Sequence, residues 1–162
     1  SMCYPISSFG AHVAARPRTS LKTRGNVAMC GTFGYELDPR KLTDDEKAEV
    51  KQQIADYRKY HRLVREGDFY RLVSPTENDF YCAWEFVSPD KQEAMMTAVV
   101  MRQPETRYCV QRLRGLDPKT YYQDEETGTV YSGAMLMNAG LNLTRDVYED
   151  GTSVTKHFKA VK

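Results

Sequence analysis

The most constraining feature of this sequence is the run GTFGYELD at residues 31–38. Its glycines, Gly31 and Gly34, let the backbone turn sharply or approach a neighbour closely. A strand-like segment at residues 26–30 precedes the run, and a strong helix signal follows it. This order of strand, glycine-rich turn and helix predicts the βα unit of a barrel or of an open α/β sheet. The block YPISSFGAHV at residues 4–13 has the same character.

Residues 43–66 carry the clearest helix signal. Thr43 and Glu46 have the spacing of a capping box, in which each side chain bonds the backbone N–H of the other residue. Gly67 is placed to end the helix. Spacings of four and three predict one core-facing stripe, which consists of Val50, Ile54, Tyr57, His61 and Val64.

After Gly67 the pattern changes to the period of two that is typical of strands. Strands are predicted at residues 68–74, 80–87, 94–102, 108–113, 121–131 and 153–161, with a hairpin tip at residues 125–128. Short strands at this spacing favour an antiparallel β-sandwich. The predicted fold is therefore mainly β, with one long helix and a domain boundary near Gly67 that separates residues 1–66 from residues 67–162.

Charge and composition exclude several classes of protein. The chain has 23 basic and 22 acidic residues and a net charge of +1, which gives no field to attract nucleic acid or an anionic membrane. No apolar run approaches the roughly 20 residues that span a bilayer. The spacings of the four cysteines match no zinc or redox pattern. We expect free thiols in a cytoplasmic protein rather than two disulfides in a secreted one, and neither metal nor cofactor.

Six blocks in order closely resemble the C-terminal region of the family 36 glycoside hydrolases, the microbial α-galactosidases. The blocks are FGAHV at 9–13, TRGNVA at 23–28, GTFGYELD at 31–38, DFYRL with SP at 68–75, LDP at 116–118 and LMNAGL at 136–141. The resemblance implies that residues 1–66 are the last two strands and helix of a (β/α)₈ barrel. It also implies that residues 67–162 form the antiparallel β-sandwich that closes the chain.

The resemblance implies an enzyme that hydrolyses terminal α-galactosides such as melibiose and raffinose. Retaining hydrolysis needs two carboxyl groups about 5 Å apart, one as nucleophile and one as acid and base. In the family both are aspartates on earlier barrel strands, so no catalytic residue is expected in this chain, which alone is expected to be inactive. The expected partners are the α-galactoside, the upstream barrel of the same polypeptide and further copies in a homo-oligomer. One departure lies near Pro17, where the family has an Asn-His-containing stretch: the loop is shorter here, or residues are absent from this sequence.

Four residues are candidates for the substrate side of the barrel: His12, Gly10, Gly31 and Thr32. His12 is interpreted as lying just past a strand, on the face where barrel enzymes place their sites. The alternative is a structural, hydrogen-bonded histidine beside Gly10.

The carboxylates near this block have structural interpretations. Glu36 is interpreted as a partner for an arginine such as Arg24. Asp38 precedes Pro39 and is expected to organise the turn into the helix. His61, on the helix stripe, and His157, on the last strand, are interpreted as structural.

The aromatic residues leave a second function class open. Trp84, Tyr81, Tyr121 and Tyr122 suit a sugar-stacking platform, which would make the chain a stand-alone carbohydrate-binding or interaction module. Aromatic residues at alternating positions also fill the cores of sandwiches, and Cys82, Trp84 and Phe86 would share one such face. We therefore interpret Trp84 as a core residue, and the chain as the structural C-terminal part of an enzyme.

Overall fold

Two parallel strands with a helix between them open the chain. The computed structural model describes residues 3–15, 19–105 and 108–161. Strands β1 (Gly10–Ala14) and β2 (Thr32–Glu36) pair in parallel, and helix α1 (Leu21–Ala28) connects them. A parallel pair needs a crossover of this kind because the chain must return to the same end of the sheet before the second strand begins. Residues 16–18, where the sequence departs from the family near Pro17, lie outside the described residues.

Helix α1 occupies most of the segment that was predicted as a strand at residues 26–30, so that prediction is wrong. Ser20 begins the helix, and its Oγ accepts a hydrogen bond from the backbone N–H of Thr23 at 3.1 Å. Gly25 lies inside the helix and weakens its intrinsic propensity, which explains why the sequence pattern did not indicate a helix. Besides the long helix expected at residues 43–66, the described residues contain two short α-helices that the sequence pattern did not indicate.

Helix α2 (Asp44–Glu66) matches its prediction. Thr43 and Glu46 form the expected capping box, and Gly67 ends the helix. The buried face is rotated relative to the predicted stripe: Gln53, Leu63 and Val64 are buried, whereas His61 is exposed. The stripe prediction therefore holds for Val64 and fails for His61. Gln53 was not predicted to be buried, because the stripe was chosen from hydrophobic residues and Gln53 is polar.

The rest of the chain is mostly antiparallel strands. The elements are β3 (Asp68–Val73), β4 (Tyr81–Val87), β5 (Glu93–Val100), β6 (Val110–Gln111), β7 (Tyr121–Asp124), β8 (Val130–Ser132), α3 (Gly133–Asn138), β9 (Leu141–Asn142) and β10 (Ser153–Val161). Six strands form one antiparallel sheet in the order β3-β4-β5-β10-β7-β8. Strands β6 and β9 pair separately. Of the strand predicted at residues 108–113, only β6 forms. The strand predicted at residues 121–131 forms two strands, β7 and β8, on either side of the predicted hairpin tip.

The six-stranded sheet has a different partner on each face. One face contributes Met96, Val100 and Phe158 to a core that includes Leu113, Leu136 and other residues from β6, β9, α3 and their connections. The opposite face contributes Trp84, Phe86 and Met95, which pack against Leu63 and Val64 of α2. The sheet is therefore the middle layer of this part of the molecule, as helix packing on one face of an antiparallel sheet allows.

Trp84 is a core residue, but its surroundings differ from the prediction. It does share a face with Cys82 and Phe86, and its exposed fraction is 9%. That face packs against α2 and not against a second sheet. The four cysteines carry free thiols, with Cys3 exposed and Cys109 buried. Among the residues that the structure describes, no helix has the length and apolar character needed to cross a bilayer.

Candidate functional site

The four predicted substrate-side residues lie at different heights along β1 and β2. The parallel register pairs Gly10 with Thr32, His12 with Gly34 and Ala14 with Glu36. Gly10 and Thr32 therefore lie at the amino ends of their strands, Gly31 just before one, and His12 in the middle of β1. The interpretation of His12 as lying past a strand is wrong. Sites in α/β folds are built at the carboxyl ends of the strands, which here are Ala14 and Glu36.

The amino end of the parallel pair is held by contacts within the chain. The backbone N–H of Thr32 donates to the Phe9 carbonyl at 2.7 Å, and its Oγ1 donates to the Ser7 carbonyl at 2.9 Å. The carbonyl of Gly31 accepts a hydrogen bond from the Tyr57 hydroxyl at 3.3 Å. A Cβ on Gly31 would lie 2.6 Å from the Phe9 carbonyl oxygen, so this position requires close backbone approach. These contacts give Gly31 and Thr32 a structural role at this end.

His12 and Glu36 form a pair that reaches toward the carboxyl end. Nδ1 of His12 lies 2.6 Å from Oε1 of Glu36, and the two side chains are 42% and 65% exposed. The ring lies over Gly34, where a Cβ would approach His12 Cδ2 to 2.9 Å. A neutral ring that donates through Nδ1 presents Nε2 as an acceptor. The pair therefore fixes the orientation of a histidine that a ligand can reach.

Glu36 and Arg24, which were expected to pair with each other, have other partners. Glu36 bonds His12, so the expectation that it pairs with Arg24 is wrong. Arg24 donates instead to the carbonyl oxygens of Ala14 and Ser20, and so joins α1 to the carboxyl end of β1. Its position at that strand end was not recognised in the sequence.

Asp38 organises the turn after β2, as predicted. It accepts hydrogen bonds from the backbone N–H and the guanidinium of Arg40 at 2.9 to 3.0 Å. The Arg40 side chain and backbone N–H lower the pKa of Asp38 below its ordinary value. Asp38 is thus a charged residue that stabilises its own turn, whereas Glu36 bonds His12.

The aromatic residues do not form a sugar platform. Trp84 is buried against α2, and Tyr122 is fully buried with its hydroxyl donating to the Lys91 carbonyl at 2.8 Å. Tyr121, on the other side of β7, is 57% exposed. Because stacking needs neighbouring exposed ring faces, the arrangement disfavours the stand-alone carbohydrate-binding module. The described residues contain no group of three or more His, Cys, Asp or Glu side chains arranged to hold a metal ion.

A charged cluster around one buried histidine was not recognised in the sequence. It lies around His157 on β10, next to Glu93, Glu125, Lys59 and Lys159. Its members come from four separate parts of the chain. The only local signal was the pair Lys156-His157 opposite the acidic tip Glu125-Glu126, and sequence spacing alone cannot join these segments.

Two family models match consecutive parts of the chain. Residues 1–67 match the model described as melibiase, and residues 81–158 match that of the glycosyl hydrolase family 36 C-terminal domain. The chain is 43% identical over 150 residues to the bifunctional α-galactosidase/sucrose kinase AgaSK of Mediterraneibacter gnavus, covering 88% of this chain and 16% of AgaSK. It is 49% identical over 150 residues to α-galactosidase AgaA of Geobacillus stearothermophilus, covering 88% of this chain and 20% of AgaA.

Solved structures of the same two proteins share the fold. The galactosidase domain of AgaSK superposes with a TM-score of 0.92 at 41% identity, covering 98% of this chain and 23% of that one. An AgaA variant in complex with raffinose superposes with a TM-score of 0.90 at 45% identity and the same coverage. The chain thus spans about a fifth of the length of these relatives. It belongs to glycosyl hydrolase family 36 and corresponds to the C-terminal region of that family's α-galactosidases.

Proposed function

We propose that the whole protein is an α-galactosidase that hydrolyses terminal α-galactosides of the melibiose and raffinose type. The observation that carries this proposal is the similarity to AgaA, at 49% identity, together with AgaA structures that hold raffinose and stachyose. Because this chain spans about a fifth of such a relative, the activity is proposed for the polypeptide that carries it. We further propose a cytoplasmic, homo-oligomeric enzyme.

The proposed chemistry is retaining hydrolysis by two aspartates that lie upstream of Ser1. Such a mechanism requires one carboxylate as nucleophile and a second carboxyl group as acid and base, about 5 Å apart. At the carboxyl ends of β1 and β2, Glu36 bonds His12 and Asp38 bonds Arg40. Because both carboxylates are already paired within the chain, these contacts support a chain that lies beside the catalytic centre and does not provide its two carboxyl groups.

The proposed partner of residues 1–66 is the upstream part of the same barrel. Strands β1 and β2 pair only with each other in the described chain, which leaves one edge of each unpaired. Beside β1 lies a groove of about 570 Å³, lined by Ile6, Phe9, Ala11, Val27, Ala28 and others. Unpaired strand edges next to apolar surface need a covering element. Upstream barrel strands and helices would supply it, and His12 would then face the interior from β1.

Activity measurements on two forms of the protein test the proposal. The full polypeptide should hydrolyse a nitrophenyl α-galactoside, and proton NMR of the early product should show retained anomeric configuration. The 162-residue chain alone should give no turnover above a buffer blank. Turnover by this chain, purified from a host that lacks α-galactosidase, would contradict its structural assignment. Inversion of configuration would contradict the two-aspartate retaining mechanism.

A further inference from the structure

His157 is a buried histidine whose two ring nitrogens both meet carboxylate oxygens. Nδ1 lies 2.6 Å from Oε2 of Glu125, and Nε2 lies 2.6 Å from Oε1 of Glu93. The exposed fraction of His157 is 6%. Ionised carboxylates only accept hydrogen bonds, and a neutral imidazole has a single N–H. Donation to both carboxylates therefore requires the cationic imidazolium.

The same carboxylates connect His157 to helix α2. Oε2 of Glu125 also accepts a hydrogen bond from Nζ of Lys59, at 2.6 Å, while Oε1 accepts one from Lys159 at 2.7 Å. The ring of Tyr60 lies 4.4 Å from the His157 ring, centroid to centroid. Lys59 and Tyr60 belong to α2, whereas His157 and Lys159 belong to β10. One carboxylate at the tip of the β7–β8 hairpin thus joins the sheet to the helix.

We propose that the His157 cluster, composed of His157, Glu93, Glu125, Lys59 and Lys159, is a protonation-dependent fastening that holds helix α2 on the six-stranded sheet. With the imidazolium present, the cluster has three cations and two carboxylates, and each carboxylate has a cationic donor. Two lysines already neutralise Glu125, so when the ring loses one proton the remaining N–H stays on Nε2 toward Glu93, and Nδ1 becomes an acceptor that faces Glu125. Two acceptors at 2.6 Å repel, so the tip residue Glu125 moves and Lys59 loses its partner.

The charges around the ring agree with this assignment. Hydrogen bonds from Lys159, Lys59 and His157 outweigh burial and lower the pKa of Glu125 to about 2, so it is an anion throughout the neutral range. The hydrogen bond with Glu125 raises the pKa of Lys59. Burial raises the pKa of Tyr60 above its ordinary value. None of these three groups changes its charge near neutrality.

The other charged groups near the ring come from three elements. A cleft of about 360 Å³ beside His157 is also lined by Lys22 of α1, Asp56 of α2 and Glu126 of the hairpin tip. Glu126 bonds Lys156 at 2.6 Å on the opposite side of β10. Carboxyl and amino side chains ordinarily titrate well outside the range of histidine. Glu85 of β4 is an exception, because burial raises its pKa to about 8. A pH effect in that range that disappears with His157 therefore belongs to the ring.

Hydrogen exchange on the full polypeptide tests the proposal. Amide exchange of α2 peptides is compared with that of β4 and β5 peptides between about pH 6 and about pH 9, because the ratio cancels the intrinsic pH dependence of exchange. The comparison is made in the native sequence and again in Glu85→Gln, because burial raises the pKa of Glu85 on β4 to about 8 and this group would otherwise titrate in the same range. We expect the relative protection of residues 55–63 to fall by about fivefold or more as the pH rises. In His157→Gln, which donates one hydrogen bond at every pH, relative protection should be low and independent of pH.

Variants of the partners separate the fastening from general destabilisation. Lys59→Met removes the link to α2 and leaves the contacts of His157 with Glu93 and Glu125, so protection should fall in α2 and stay unchanged in β4 and β5. Lys51→Met, an exposed position on the same helix, is the control and should leave exchange unaltered. If α2 protection in the wild-type protein does not change with pH, or if Lys59→Met behaves as the control does, the proposal is wrong.

Discussion

Glu85 shows at the residue scale how a sheet can contain a carboxyl group that it does not fully satisfy. Glu85 is completely buried on β4, and its Oε2 accepts a hydrogen bond from the backbone N–H of Arg114 at 2.8 Å. Oε1 has no hydrogen-bond partner among the described residues. Burial raises the pKa of Glu85 to about 8, although the Arg114 hydrogen bond opposes the shift. At neutral pH the folded protein therefore carries this group protonated.

We predict a pH-dependent loss of stability from Glu85. Between the ordinary glutamate pKa and about 8, the unfolded chain ionises while the folded chain keeps its proton, so the folded state binds more protons. The free energy of unfolding should therefore fall with rising pH, by at most about 1.4 kcal/mol per unit from this group. Glu85→Gln should remove that slope, measured by urea unfolding from pH 5 to 8. The exposed control Glu77→Gln should keep it, and equal slopes in both variants would contradict the assignment.

Trp84 gives a second prediction at the residue scale. Its ring is buried between β4 and α2, with Phe86, Leu63 and Val64 in the same apolar cluster. Trp84→Ala should lower the free energy of unfolding by about 3 to 5 kcal/mol, because it removes a large buried side chain and leaves a cavity. Galactose and raffinose should leave the fluorescence of Trp84 in the isolated chain unchanged. A saturable fluorescence shift would instead favour the carbohydrate-binding module.

At the scale of elements, Gln53 and Gly25 set the contact between α1 and α2. Gln53 Nε2 donates to the Leu21 carbonyl at 3.1 Å, and its Oε1 accepts from the Tyr35 hydroxyl at 2.9 Å. A Cβ on Gly25 would lie 2.5 Å from Gln53 Nε2, so the glycine makes room for this amide. The buried amide thus connects α2 to both α1 and β2.

We predict that Gly25→Ala destabilises the protein even though alanine is favoured over glycine in a helix by about 1 kcal/mol. The added methyl group displaces Gln53 from its hydrogen bonds, which leaves buried polar groups unpaired. In a Gln53→Ala background the same change should be neutral or stabilising, because the amide is absent. Thermal unfolding of the two single variants and the double variant measures this coupling. Additive effects would show that the two positions do not interact.

The elements that the sequence predicted well carry local signals. The capping box at Thr43 and the glycine at Gly67 bound α2 within the sequence itself, and alternation marked β3, β4, β5 and β10. Helix α1 was missed because two of its four buried positions, Thr23 and Gly25, are not hydrophobic. Thr23 is buried through its hydrogen bond with Ser153, and Gly25 through its close contact with Gln53. The His12–Glu36 pair was missed because it depends on the parallel register of two strands. Contacts between distant segments leave no spacing pattern in the sequence.

At the scale of the whole molecule, residues 1–66 are attached to the sheet by polar as well as apolar contacts. Asn26 of α1 donates to Ser153 Oγ at 2.9 Å, and Ser153 bonds Thr23 at 2.9 Å. The two buried hydroxyls join α1 to β10, while α2 covers the other part of that sheet face. The sequence pattern predicts a domain boundary near Gly67 that separates residues 1–66 from residues 67–162. The contacts of α1 with β10 favour a common folding unit instead, which amide exchange of residues 21–28 would measure.

The groove beside β1 is an apolar surface that these contacts leave exposed in the isolated chain. Phe9 and Val27 line the groove and are 46% and 41% exposed, whereas Ile54 of α2 is half-buried. Apolar side chains next to an unpaired strand edge favour association with another chain. We therefore expect the 162-residue chain to self-associate at high concentration through this groove rather than through Ile54, with an increase in mass by light scattering.

Val27→Lys should reduce that association, because a charge inside an apolar interface is costly to bury. The matched control is Val130→Lys on β8, an edge strand of the separate six-stranded sheet, where the valine is 48% exposed. In the full polypeptide, where the upstream barrel is proposed to cover the groove, Val27→Lys should lower thermal stability, while Val130→Lys should leave it nearly unchanged. If the isolated chain stays monomeric and Val27→Lys is harmless in the full protein, the groove is an ordinary solvent-exposed surface and the proposed contact with the upstream barrel is wrong.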